Sequence, residues 1–205
     1  IENLKSLNSG TLVVWRKLDR LGEGVVGDGY QKYINELFNK VAEHLEIVFH
    51  RFLASEGVPK VQISIGSYDL ESIDPFFRQS AATQIGPVEL IKFSEDLSVK
   101  MQVFTLPHFK KMTRAEKELS SKLGDFRDSQ GFYIYRANRL VIWGTWFRIR
   151  AREETSKLTR VAVEIPNDLD DLWSIDIKKS TAQPPAFVIN KLRNIADTLV
   201  TPSKR

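Results

Sequence analysis

The stretch that most limits what this chain can fold into is GFYIYRANRLVIWG, residues 131–144. Two arms rich in aromatic and β-branched residues flank Ala137 and Asn138, and asparagine is among the few non-glycine residues that accept the positive φ of a tight turn. The pattern predicts a β-hairpin turning at those two residues. A lone hairpin is barely stable in water, so the rest of the chain has to supply more strands and a layer to cover them.

Further strand patterns are present. TLVVW (11–15) is β-branched, KVQISIG (60–66) alternates Val61, Ile63 and Ile65 with polar residues, and VELIKF (88–93), SVKMQVFTL (98–106) and TRVAVEIP (159–166) extend the series. Between them lie helical periods. From Tyr30 to Leu53, Ile34, Leu37, Phe38, Val41, Leu45, Val48, Phe49 and Phe52 recur at three- and four-residue steps, and Gly57 and Pro59 end the run. SIDPFF (72–77) reads as a turn. Thr113 with Glu116 makes a capping-box pattern for a short helix to about Leu123, stopped at Gly124. In PPAFVINKLRNIADTLV (184–200), prolines open a helix with Val188, Ile189, Leu192, Ile195, Ala196 and Leu199 on one stripe. This order predicts an α+β fold, a mixed and mainly antiparallel sheet with helices packed on one face.

Composition narrows the function classes. The chain has no cysteine, so disulfides and thiolate metal sites are excluded, and only His44, His50 and His108 remain as soft ligands; no metal site is expected. No apolar run approaches the ~20 residues of a membrane span, and no signal-peptide pattern opens the chain, which suits a cytoplasmic protein without membrane contact. A formal charge of +4 and a pI near 9.2 permit contact with an anion without requiring it. LGEGVVGDG (21–29) carries four glycines and reads as a flexible connection, with a domain boundary near residue 28. TLVVW needs a partner strand, and the expectation is that the chain is a fragment of something longer.

Several patterns touch chemistry. GEGVVG (22–27) matches the dinucleotide fingerprint G-x-G-x-x-G, but RKLDRL separates it from Trp15, whereas the fingerprint's first glycine has to end the strand. A hinge-like linker explains it better. His44 and His50 stand six apart, on different faces of a helix, and His108 has no serine or cysteine context. Arg136, Arg139, Arg148, Arg150 and Arg152 interleave with Tyr133, Tyr135, Trp143, Trp146 and Phe147, the composition of a single-stranded nucleic-acid platform. A sheet that buries an aromatic face and exposes arginines gives the same pattern, and both readings stand. IDIKKSTAQPP (175–185) places Lys178 and Lys179 between a strand and a helix, where they suit either solvent or a phosphate group.

SGTLVVWRKLDRL (9–21) resembles the closing strand of the ATPase domain in the GHKL superfamily, in the form seen in MORC-type, gyrase B-like and related prokaryotic ATPases. QGFYIYRANRLVIWGTWFRI (130–149) is similar to a hairpin of the transducer domain that follows it, which has the fold of the second domain of ribosomal protein S-five. The similarity runs over nearly the whole chain in the expected order. It implies residues 1–27 as the last strand of an upstream ATPase domain plus linker, and residues 28–205 as a transducer. It also implies a lysine between the last strand and the following helix that touches the γ-phosphate of ATP. Lys178 and Lys179 occupy that position, as catalytic and cofactor-binding residues. Asp176 shares a strand face with Lys178 and can restrain it, which leaves Lys179 freer to reach out.

The departures are as informative. The superfamily's magnesium-binding asparagine with its general-base glutamate, its D-x-G-x-G turn and its glycine lid are not in this sequence. The resemblance therefore implies ATP and Mg only for the parent protein, a homodimer there, and no hydrolysis by this chain alone. The nucleic-acid module built on the arginine-aromatic hairpin is the competing reading.

Overall fold

The hairpin forms as its turn chemistry requires. In the computed structural model, Ala137 and Asn138 have φ of 45° and 65°, joining β5 (Gly131–Arg136) to β6 (Arg139–Thr145). The structure describes residues 9–16, 21, 27–92, 98–166, 188–190, 192–194 and 196. Its contacts divide into two units, 1–41 and 42–205.

In the first unit the expected strand at 11–15 does not form. Residues 10–16 carry no regular structure, and Leu12, Val13, Val14 and Trp15 are 53–79% exposed. A β-branched run becomes a strand only when a neighbour takes up its N–H and C=O groups, and no described strand pairs with it. Helix α1 (Asp28–Val48) begins in this unit, where Tyr30, Tyr33, Phe38 and Val41 are exposed. Much of the GEGVVG glycine motif (22–27) lies outside the described residues.

In the second unit α1 continues from Ala42, and after a break at Phe49 one further turn follows, α2 (His50–Leu53). The chain then reverses at Gly57, φ 67°, as expected. The strand predicted at 60–66 shrinks to β1 (Ser64–Ile65), paired with β2 (Tyr68–Asp69), and the Gln62 and Ser64 side chains donate to the Asp69 carboxylate across the pair. At the SIDPFF turn Asp74 accepts from the N–H groups of Phe76 and Arg78. The capping box also forms. The Thr113 hydroxyl accepts from Glu116 N–H and the Glu116 carboxylate from Thr113 N–H, opening α3 (Arg114–Lys122).

The main sheet has the order β3-β4-β7-β5-β6, with β3 Gln84–Lys92, β4 Ser98–Thr105 and β7 Thr159–Ile165. All pairs are antiparallel except β5 with β7. The fold is α+β. The last strand in sequence is the middle one in space, inserted between β4 and β5.

Helices on a single face were expected, and the packing is two-sided. Phe132 and Ile134 of β5 join Val161, Val163 and Ile165 of β7 in one cluster, covered by Val188, Leu192 and Ala196 of the C-terminal helical segment. Tyr133 and Tyr135 point the opposite way, against Ile47 and Val48 of α1 and Phe76. Burial on both faces explains why FYIY and VAV read as nearly continuous apolar runs. Among the described residues, no helix is long and apolar enough to cross a membrane.

Candidate functional site

Lys178 and Lys179, with Asp176, lie outside the described residues. The chain on either side of them is described. β7 leaves the middle of the sheet at Ile165, and the helical segment beyond residue 187 packs into the same cluster as Val163 and Ile165.

A polar clamp holds the end of β7. On β7, alternate residues Arg160, Ala162 and Glu164 face the α1 side. Arg51 reaches from α2 across the Tyr135 ring, 3.6 Å from its centroid, and donates to Glu164 Oε1 at 2.5 Å and to Asn138 Oδ1 at 3.3 Å. One guanidinium thus joins helix, hairpin turn and strand end. Arg78 is fixed similarly by Asp74 at 3.0 Å and Glu56 at 2.5 Å.

Beside the clamp lies a cavity of about 350 Å³, floored by Phe76, Phe104 and Ala162 and rimmed by Arg51, Arg78 and Lys100. Both arginines are already neutralised by carboxylates, and of the three cations only Lys100 has no partner among the described residues. A triphosphate requires several uncommitted donors, so this cavity does not fit one.

His50 is fully buried, with Nε2 2.9 Å from the Tyr135 hydroxyl. Burial pushes its pKa down to about 3; Asp74 opposes the shift, while Arg51 and Arg78 add to it. Tyr135 is held well above its ordinary value, chiefly by burial. Neither group exchanges a proton near neutrality, and the pair fixes α2 to β5 rather than doing acid-base chemistry.

The sign of the pH effect follows. Between the ordinary histidine value of 6.5 and about 3, the unfolded chain binds a proton that the folded chain refuses. This contribution to stability is complete above about pH 6.5 and is lost toward pH 3, by up to about 1.4 kcal/mol per unit. Urea titrations between pH 4 and 7 are expected to show a steeper acid loss for the wild type than for His50→Gln. Parallel curves would refute the assignment.

The five arginines of the hairpin region do not come together. Arg136 and Arg139 flank the turn, the second with its guanidinium 5.2 Å from the Phe49 ring. Arg148, Arg150 and Arg152 follow β6 at the other end, a strand length of about 20 Å away. Arg150 pairs with Glu153 at 3.4 Å, and Arg152 with Asp128 at 3.1 Å. Tyr133, Tyr135 and Trp146 are at most 2% exposed. Trp143 packs on His44 with ring centroids 5.5 Å apart, and Phe147 on Phe132 at 5.9 Å. The rings a base would stack on serve the core instead.

Sequence reading names His50 and Tyr135 but not their buried pairing, and it misses Arg51, Asp74 and Arg160. The available signal was the R-A-E alternation of β7, which resembles a solvated face. Compared with protein-family models, curated proteins and solved structures, the chain matches none.

Proposed function

We propose that this chain is the transducer of a GHKL-type ATPase. Lys178 or Lys179 meets the γ-phosphate of ATP held by a separate nucleotide-binding domain, and the sheet carries that state onward to drive dimerisation and movement of a partner. The observation that carries this reading is the anchoring of the chain on either side of the lysine segment. Before it, the central strand ends next to Glu164, which Arg51 clamps to α2, and after it a helical segment packs into the same core. A cation displayed from a fixed base stabilises charge on a transferring phosphoryl group without reorganising at the moment of reaction.

The motifs that hold ATP are not in the sequence, and among the described residues the cavity beside Arg51 does not fit a triphosphate. The chain's contribution is half of a composite site. In the full-length protein, Lys178→Ala with Lys179→Ala is expected to lower ATP turnover by about 10²-fold or more. Nucleotide affinity should change only a few-fold. Unchanged turnover together with unchanged ATP-driven dimerisation would overturn the reading.

A further inference from the structure

The end of the sheet opposite the clamp gathers the connection from β4 to β5, which carries α3, the connection from β6 to β7, and the chain entering β3. They form one packed surface. Leu106, Met112, Phe126 and Leu158 share a cluster, Arg152 bonds Asp128, and Gln130 Nε2 donates to the Glu153 carbonyl.

Charge is unevenly settled there. Arg114, Arg150, Arg152 and Lys157 have carboxylate partners within these loops and α3, and Lys122 pairs with Glu46. Lys110, Lys111, Lys117, Arg127 and Arg148 have none among the described residues. The carboxylates left over, Glu116 and Asp125, are engaged by backbone N–H groups of Thr113 and Arg127.

Among these cations stands Phe109, 51% exposed, with Lys117 Nζ 5.1 Å from its ring centroid. It sits on a 3-10 turn, Phe109–Lys111, fixed between buried Leu106 and Met112. Lys110 and Lys111 follow β4 and Arg148 follows β6, and those two strands stand three spacings apart in the sheet, roughly 14 Å at about 4.8 Å each.

From this placement we infer that the loop end of the sheet is a contact surface for single-stranded nucleic acid. Phe109 takes a base on its exposed face, while Lys110, Lys111 and Arg148 take successive backbone phosphates. Charge complementarity alone would suit any polyanion; an exposed ring held between lysines favours a polymer that alternates phosphates with flat bases. This site differs from the hairpin platform suggested by the sequence, and of those five arginines only Arg148 belongs to it. It stands independently of the γ-phosphate reading.

The test is fluorescence anisotropy of the chain with a labelled oligothymidylate of about 15 nucleotides, titrated at several salt concentrations. The logarithm of the affinity is expected to fall linearly with the logarithm of salt concentration. Lys110→Gln with Lys111→Gln should flatten that slope by about 1.4, and Arg148→Gln by about 0.7. Phe109→Ala should weaken binding about tenfold with the slope unchanged. All four side chains project from the surface, so melting temperatures should stay at the wild-type value and confirm intact folds. Failure to bind at low salt, or variants that bind like wild type, would overturn the inference. So would equal competition by polyglutamate or by anionic vesicles, which would assign the surface to acidic proteins or membranes instead.

Discussion

Arg160→Ala is expected to cost about 3–5 kcal/mol of folding stability, a third or more of what a domain of this kind possesses. Arg160 is fully buried on β7, the central strand of the sheet. Its guanidinium donates to the Pro75 carbonyl and, at 2.8 Å, to Ser129 Oγ, and lies 5.4 Å from the Tyr133 ring centroid and 5.9 Å from that of Phe126. Burial pushes its pKa below the ordinary arginine value, with Tyr133 and Asp74 opposing. Truncation leaves a cavity beside two aromatic rings and strips two acceptors of their donor. Arg160→Met should cost less, because it refills the volume and loses only the hydrogen bonds. Urea unfolding separates the cases, with the alanine midpoint falling by about 2 M at a slope near 2 kcal/mol/M. A loss below about 1 kcal/mol for the alanine variant would show that the buried guanidinium matters little.

Gly131→Ala is the second large effect. Gly131 opens β5 at φ 111°, and a Cβ there would lie 2.5 Å from the Thr145 carbonyl oxygen, 2.7 Å from its carbon and 3.2 Å from the Trp146 ring. Backbone cannot swing aside as a side chain can. Trp146 is itself pinned by its indole N–H to Gln130 Oε1 at 2.9 Å, and Gln130 also accepts from the Ser156 hydroxyl. Relief requires the β5–β6 pair to part at that end, at a cost of about 3 kcal/mol or more. Gly124→Ala is the control. It shares a positive φ, 80°, but its Cβ would meet nothing within 4 Å, so strain alone should cost about 1 kcal/mol. Equal losses at the two glycines would contradict the steric account.

Features of this fold written in local chemistry were legible in the sequence. Ala137 and Asn138 turn the hairpin, and Thr113 with Glu116 caps α3, because each signal involves neighbours a few residues apart. Features that depend on what arrives from elsewhere were not. TLVVW has the residues of a strand, yet a strand exists only with a partner, and none is present among the described residues. Arg160, Ala162 and Glu164 alternate like a wet face, but α1 and the Phe76 turn cover that side, so one cation is sealed in and one carboxylate is clamped. The aromatic-arginine pattern of residues 133–152 is compatible in sequence with two arrangements. Burial of Tyr133, Tyr135 and Trp146 gives the rings to the core, and the seven-residue β6 places the arginines at opposite ends.

The proposed γ-phosphate contact is argued from order along the chain and from the packing of both flanks, and it can be tested at the lysines themselves. The measurement is amine-directed acetylation of Lys178 and Lys179 in the full-length protein, quantified by mass spectrometry with a non-hydrolysable ATP analogue, with ADP and without nucleotide. The account predicts that at least one of the two lysines is shielded by the ATP analogue and left reactive by ADP. Equal modification in all three conditions would contradict it.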